Sequence, residues 1–278
     1  LLNPARPGQI AQSVRLTFGL LIALLVAAIS VGSWLIGMDL KRQLLLARQK
    51  TDFVSNVSHE LKTPLTSIRM FSEILAEGRV QEEGKRRHYL QIINTETARL
   101  TRLINNVLDF ARLERGEKKY QFEPCDAVAL TRGTVETFRP QLEAAGFKVE
   151  ILVPDTAVPV HVDGDAIAQV LVNLLSNAEK YSGEIKDVRV ELKARGNQVE
   201  ITVSDRGLGV PSGSAEKIFE QFYRAHDSLA SGIQGSGLGL TLARQIARAH
   251  SGEVTYEPRT GGGSCFTLRL PLAEDLEA

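Results

Sequence analysis

The stretch Gln169-Val-Leu-Val-Asn173-Leu-Leu-Ser-Asn177-Ala-Glu-Lys180-Tyr181 decides how this 278-residue chain folds. It reads as the end of a helix from Asp165 to Tyr181, with Asn173 and Asn177 four residues apart and so on one face together with Tyr181. Neutral amide oxygens on a shared face suit a hard cation, although asparagines along the edge of an amphipathic helix are the plainer reading of this block alone. On either side, short strands and helices alternate. A strand near Lys119 to Phe122, a helix from Cys125 to about Ala145 and a strand at Phe147 to Leu152 come before it. Strands at Val188 to Leu192 and Val199 to Ser204, a helix from Leu238 to His250, and a strand pair at Glu253 to Tyr256 and Cys265 to Leu270 come after. Strands are too many for a simple βαβ repeat, so the expectation for residues 116–274 is an α+β domain, a mixed sheet with helices on one face, followed by a tail at 275–278.

Further along the domain, other blocks carry chemistry. Asp205-Arg-Gly207-Leu-Gly209 follows an alternating strand, which places a carboxylate on a tight turn where glycine lets a planar ring approach the backbone. Ile218-Phe219-Glu-Gln-Phe222-Tyr223-Arg224 spaces two phenylalanines at i and i+3, a pattern that is more often plain core. Gly235-Ser-Gly237-Leu-Gly239-Leu opens a helix, whose free N–H groups and positive dipole end receive phosphates. Gly261-Gly-Gly263-Ser264 lies between the last two strands. The rival phosphate motifs, G-x-x-x-x-G-K-[ST] and the H-R-D with D-F-G pair, are absent.

The N-terminal half has a different texture. Leu16 to Met38 contains no charge, and a helix of that length at about 1.5 Å per residue spans roughly a bilayer core. A signal-peptide core should be shorter, and a buried globular helix should carry a polar stripe. The segment 16–38 is therefore expected to be a transmembrane helix, preceded at 1–15 by the remnant of an upstream region, since the chain opens on Leu1. Lys41, Arg42, Arg48 and Lys50 follow the span against Arg6 and Arg15 before it, which puts the C-terminal part in the cytoplasm. Apolar residues then recur from Leu40 to Leu75 and, beyond a turn bracketed by Gly78 and Gly84, from Leu90 to Ala111 in near-heptad spacing. Residues 39–115 thus predict an all-α helical hairpin whose apolar edges are buried by a second copy in a four-helix bundle, or else by the following domain. Only Asp39 to Lys50 separate the span from the histidine-bearing run that begins near Thr51, too few for a relay domain, so a signal is expected to travel along a continuous helix.

Composition excludes several classes. Thirty-three basic residues balance thirty-three acidic ones, so no global field recruits nucleic acid, and 43% apolar content argues against disorder. Cys125 and Cys265 match no metal spacing and suit a reducing compartment.

In the hairpin, Phe53-Val-Ser-Asn-Val-Ser-His59-Glu60-Leu-Lys-Thr63-Pro64-Leu sets a histidine beside a carboxylate. A neutral imidazole is a nucleophile, and Glu60 is the candidate base for its other ring proton. Pro64 lacks the N–H that would bond the Glu60 carbonyl, which predicts a kinked or loosened helix at the reactive residue. A zinc His-Glu-x-x-His reading fails because Thr63 stands where the second histidine is needed. His88, His161, His226 and His250 read as idle surface residues.

This run resembles the phosphoacceptor box of sensor histidine kinases, and the later blocks, in order, resemble the ATP-binding domain shared by histidine kinases, gyrase and heat-shock chaperone ATPases. The resemblance covers about Thr51 to Leu272. It implies that His59 takes the γ-phosphoryl group of ATP, and that Thr63 orients a water for dephosphorylating a partner. It further implies that Asn177 holds Mg2+, with Asn173 beside the phosphates and Lys180 and Tyr181 lining the site. Asp205, with Gly207 and Gly209, would accept the adenine amino hydrogen. Phe219 and Phe222 would anchor a mobile lid from about Val210 to Gln234. Gly235, Gly237 and Gly239 would receive phosphates, and Gly261, Gly263 and Ser264 would complete the set. Arg206 departs from the family's usual asparagine, and Ser264 from its commoner threonine. The implied protein is a membrane-embedded homodimeric kinase that passes its phosphoryl group to a response-regulator receiver domain. A phosphatase-dominant signalling protein and a non-catalytic ATP-binding scaffold are the alternatives.

Overall fold

A computed structural model describes residues 7–78, 80, 82–225 and 237–273, and the chain divides after Asp52 into two compact units. Helix α1 (Pro7–Ala76) begins on a proline, whose missing N–H costs nothing in a first helical turn. Within it, Phe18–Leu44 has a mean hydropathy of 2.4 and buries nothing in the protein. Its apolar side chains point outward on every side, from Phe18 and Leu21 to Trp34 and Ile36, a distribution that water does not reward. Among the described residues it is the one helix long and apolar enough to cross a membrane.

In the second unit, the rest of α1 turns at Glu77 and Gly78 into α2 (Glu83–Glu114). Phe71 packs against Tyr89 with ring centroids 4.9 Å apart near the turn, and Phe53 meets Phe110 at 6.3 Å at the far end, so the two helices run antiparallel as a hairpin. Gly84, expected to bracket the turn, lies inside α2. Helix α1 continues through Pro64, where the ladder lacks the hydrogen bond that proline cannot make.

The remaining elements are β1 (Glu123–Asp126), α3 (Ala127–Ala144), β2 (Lys148–Leu152), β3 (Pro159–Val162), α4 (Gly164–Tyr181), β4 (Asp187–Arg195), β5 (Gln198–Ser204), α5 (Gly239–Ala249), β6 (Glu253–Pro258) and β7 (Ser264–Pro271). Asp126 and Asp163 cap α3 and α4 by accepting N–H bonds from their first turns. The five-stranded sheet runs β2-β4-β5-β7-β6 and is mixed, β2 and β4 being parallel and the other pairs antiparallel. Val199, Ile201 and Val203 on β5 register with Leu270, Leu268 and Phe266 on β7, and this alternating face packs under the helices to form the core. Leu171, Leu174 and Leu175 of α4 are fully buried there, which leaves the opposite, polar edge of α4 to face a cleft.

Two expectations need correcting. The strand placed at Lys119 to Phe122 lies at Glu123–Asp126 instead, where it pairs with β3, a short strand the sequence did not announce. His250 is no idle surface residue: it is 3% exposed. Its Nδ1 bonds the Ile246 carbonyl at 2.8 Å, its Nε2 accepts the Asp163 N–H at 3.1 Å, and Tyr120 and Phe122 pack on the ring. His88 and His161 are exposed as expected, and His226 lies outside the described residues. Replacing His250 by alanine strands the Asp163 N–H at the start of α4 and opens a cavity. The expected loss is about 2–4 kcal/mol, read from denaturant unfolding.

Candidate nucleotide and phosphoacceptor site

A cavity of about 960 Å³ lies between the hairpin and the α+β domain. The polar edge of α4 supplies Asn173, Asn177, Lys180 and Tyr181 to it, because the same helix buries its leucines on the other side. Asn173 is 7% exposed, and its Nδ2 has no partner. Lys180 is an exposed residue of the cavity wall, yet protein crowds around it. Desolvation by those neighbours lowers its ammonium pKa, and the nearby Glu60 carboxylate works in the opposite sense. Burial likewise raises the Tyr181 phenol, which bonds Arg224 from the other wall.

Asp205 closes the deep end, 2% exposed at the exit of β5. Its Oδ1 accepts the N–H of Gly207 at 2.7 Å and the N–H of Ser264 at 3.2 Å, and the Ser264 hydroxyl adds a further bond. Burial nevertheless pushes its pKa above the usual aspartate range, the hydrogen bonds only partly opposing it. Two glycines hold this corner together. A Cβ on Gly207 would stand 2.1 Å from the Tyr181 carbonyl oxygen, and one on Gly263 would stand 2.1 Å from that of Asp205. Gly263 and Gly262 both hold positive φ, yet a Cβ on Gly262 would meet nothing. Gly263→Ala is therefore expected to weaken nucleotide binding at least tenfold beyond Gly262→Ala, because backbone strain is common to the pair and only the first wrecks the Asp205 turn; calorimetric titration of the two variants measures the gap.

Gly209, Gly237, Gly239 and Ser264 also line the cavity, with Gly239 opening α5 next to the Asn173 amide. Gly261 stands away from it, against the Arg206 guanidinium, which turns toward Asp187. Gly235 and most of the expected lid's C-terminal half lie outside the described residues. The two phenylalanines part company. Phe219 is core, edge-on to Phe266 with the Arg244 guanidinium 4.6 Å above its ring. Phe222, at φ +65°, leaves the domain and wedges between Phe53 at 4.6 Å and Phe110 at 5.5 Å on the hairpin.

From α1 the cavity is lined by Pro64 and by Glu60, which is 8% exposed and has Oε1 unpartnered. His59 is exposed and Thr63 donates its hydroxyl to the His59 carbonyl at 3.3 Å, and neither lines the cavity. Adjacent helical residues point about 100° apart, so the carboxylate and the imidazole face different neighbours. Sequence reading missed the contribution of α2. Asn106, Arg99 and Arg102 line the cavity, and Arg102 joins Glu179 of α4 through Gln141 of α3. Their only signal was polarity beside the heptad positions.

Residues 49–116 match the family described as the His Kinase A (phospho-acceptor) domain, and residues 162–274 match the histidine kinase-, DNA gyrase B- and HSP90-like ATPases. The chain is 33% identical over 243 residues to the sensor histidine kinase WalK of Bacillus subtilis, covering 86% of this chain and 39% of that protein. It is 32% identical over 244 residues to the alginate biosynthesis sensor protein KinB of Pseudomonas aeruginosa, covering 87% and 40%. The chain thus spans about two fifths of the length of these relatives. Among solved structures it resembles full-length ShkA in complex with AMPPNP, with a TM-score of 0.56 and 26% identity over 80% of this chain and 46% of that one.

Proposed function

Because this chain belongs to the sensor histidine kinases of two-component systems, we propose that it moves the γ-phosphoryl group of ATP onto His59 and hands it on to an aspartate of a response-regulator receiver domain. The observation that carries this reading is that Glu60, next to the acceptor histidine, and Asp205, at the deep end of the nucleotide domain, line one cavity.

In this reading Asp205 accepts the adenine amino hydrogen, and the Asn173 Nδ2 donor turns toward the phosphates. Mg2+ fits the residues present: Asn177 lines the cavity and would hold the ion through its neutral amide oxygen, with phosphate oxygens and water completing the shell. Bound there, the ion neutralises phosphate charge. The imidazole lone pair of His59 attacks the γ-phosphorus, the bond to the β-phosphate oxygen breaks, ADP leaves, and Glu60 takes the proton from the other ring nitrogen. A receiver aspartate then attacks the phosphorus, and the proton returns as the N–P bond breaks. Since Glu60 and not His59 enters the cavity, transfer within one chain needs the nucleotide domain to shift along the hairpin.

The hairpin leaves Leu65, Met70, Leu90, Ile104 and Leu108 exposed, an apolar surface that a second copy would cover in a four-helix bundle. The helix Phe18–Leu44 would anchor the dimer in the membrane, with Lys41, Arg42, Arg48 and Lys50, at and beyond its C-terminal end, on the cytoplasmic side. Thr63 supports a second activity, dephosphorylation of the regulator, once its hydroxyl leaves the His59 carbonyl for a water. Incubating the protein with Mg2+ and γ-labelled ATP should give acid-labile, alkali-stable protein phosphate; absence of label would sink the kinase reading.

A further inference from the structure

Asn173 has two ends that differ only in what they can bond, and a chain of polar groups linking α2 to α4 engages one of them. The chain starts at Asp109, whose Oδ1 is paired with Lys118 at 2.6 Å. A carboxylate can only accept, so Gln169 must offer its amide nitrogen, and Nε2 meets Asp109 Oδ2 at 2.8 Å. The same Nε2 reaches Asn106 Oδ1 at 3.2 Å. With its oxygen so engaged, Asn106 turns Nδ2 toward Asn173 and donates to Oδ1 at 3.4 Å. What remains of Asn173 is a buried Nδ2 with no partner, on a residue that lines the cavity. Each amide orientation follows from the one before it, and the charge on Asp109 sets the direction of them all.

We propose that Asn106 is a positioning residue for the nucleotide phosphates: docked against α4, it orients the Asn173 amide so that a hydrogen-bond donor, not an acceptor, faces the cavity. This rests on the placement of Asn173 beside the phosphates. The phosphoacceptor hairpin thereby contributes to the nucleotide site through a helix that carries no motif, and ATP affinity depends on whether α2 is docked.

Asn106→Asp tests this, because a carboxylate at that position accepts from Asn173 and turns its nitrogen away from the cavity. Affinities of the full chain for Mg·ATP and for adenosine are measured by displacement of a fluorescent nucleotide, beside Asn106→Leu and Asn173→Ala. The expected result is that Asn106→Asp weakens Mg·ATP about tenfold, Asn106→Leu less, and that both leave adenosine unchanged. A merely structural role would weaken adenosine as well, and that outcome overturns the proposal. If Asn173→Ala weakens Mg·ATP while Asn106→Asp does not, the orienting role fails alone. If neither does, the placement of Asn173 fails with it.

Discussion

Replacing His59 by glutamine is expected to abolish the acid-labile phosphate while leaving Mg·ATP affinity as it was. His59 is exposed on α1 and does not line the nucleotide cavity, and glutamine is a good helix former, so neither fold nor binding has cause to change. The proposed nucleophile alone is lost, and no neighbouring side chain replaces it: the other histidines lie outside the run Phe53 to Leu65. Removal of an attacking group costs at least about a thousandfold in rate. Phosphorimaging of acid-treated and alkali-treated gels, with a nucleotide titration of the same preparation, separates the two quantities. Label that survives the substitution would remove His59 from the chemistry.

Asp205→Asn is expected to raise the Kd for ATP about a hundredfold or more while leaving the empty protein at least as stable as the parent. Asparagine can still accept the Gly207 and Ser264 N–H groups through its oxygen, so the turn survives. Its amide nitrogen, however, meets the adenine amino group donor to donor, and a buried mismatch of that kind costs about 2–4 kcal/mol. The stability half follows from the raised Asp205 pKa. A carboxyl whose folded pKa lies above its unfolded value stabilises the fold only while protonated. That contribution is present below the ordinary aspartate range and is lost as pH rises through the raised folded pKa. At neutral pH the parent therefore bears the cost of a buried charge that asparagine does not carry. Thermal melts without nucleotide should favour the variant at pH 7, and the difference should shrink toward pH 4.

Much of the architecture could be read from the chain because its periodicities are strong. The alternation along Val199, Ile201 and Val203 predicted a half-buried strand, and the apolar face of α4 predicted the helix whose other edge carries the asparagines. Asp205, Gly207 and Ser264 come together as one hydrogen-bonded corner from segments far apart in sequence, a proximity the order of the motifs suggested but spacing alone could not give. Other features had no local signal. β3 opens on a proline and runs for four residues, too short for any pattern, and exists because Glu123–Asp126 pairs with it. His250 looked idle because its partners, the Asp163 N–H and two aromatic rings, lie more than eighty residues away. The part played by α2 was hidden for the same reason: Asn106 acquires meaning only when Gln169 stands opposite.

Phe222 holds a left-handed backbone that costs a non-glycine residue about 1–2 kcal/mol, and its ring is gripped by Phe53 and Phe110. The aromatic contacts hold the hairpin against the α+β domain, and the strained dihedral subtracts from that hold. The docked arrangement is thus set like a latch under tension, held by aromatic contact and loaded by its own dihedral. A small displacement of Phe53 relative to Phe110 changes the grip without touching the nucleotide. Phe222 is thus one contact at which the hold of the hairpin on the α+β domain can be adjusted through a single side chain.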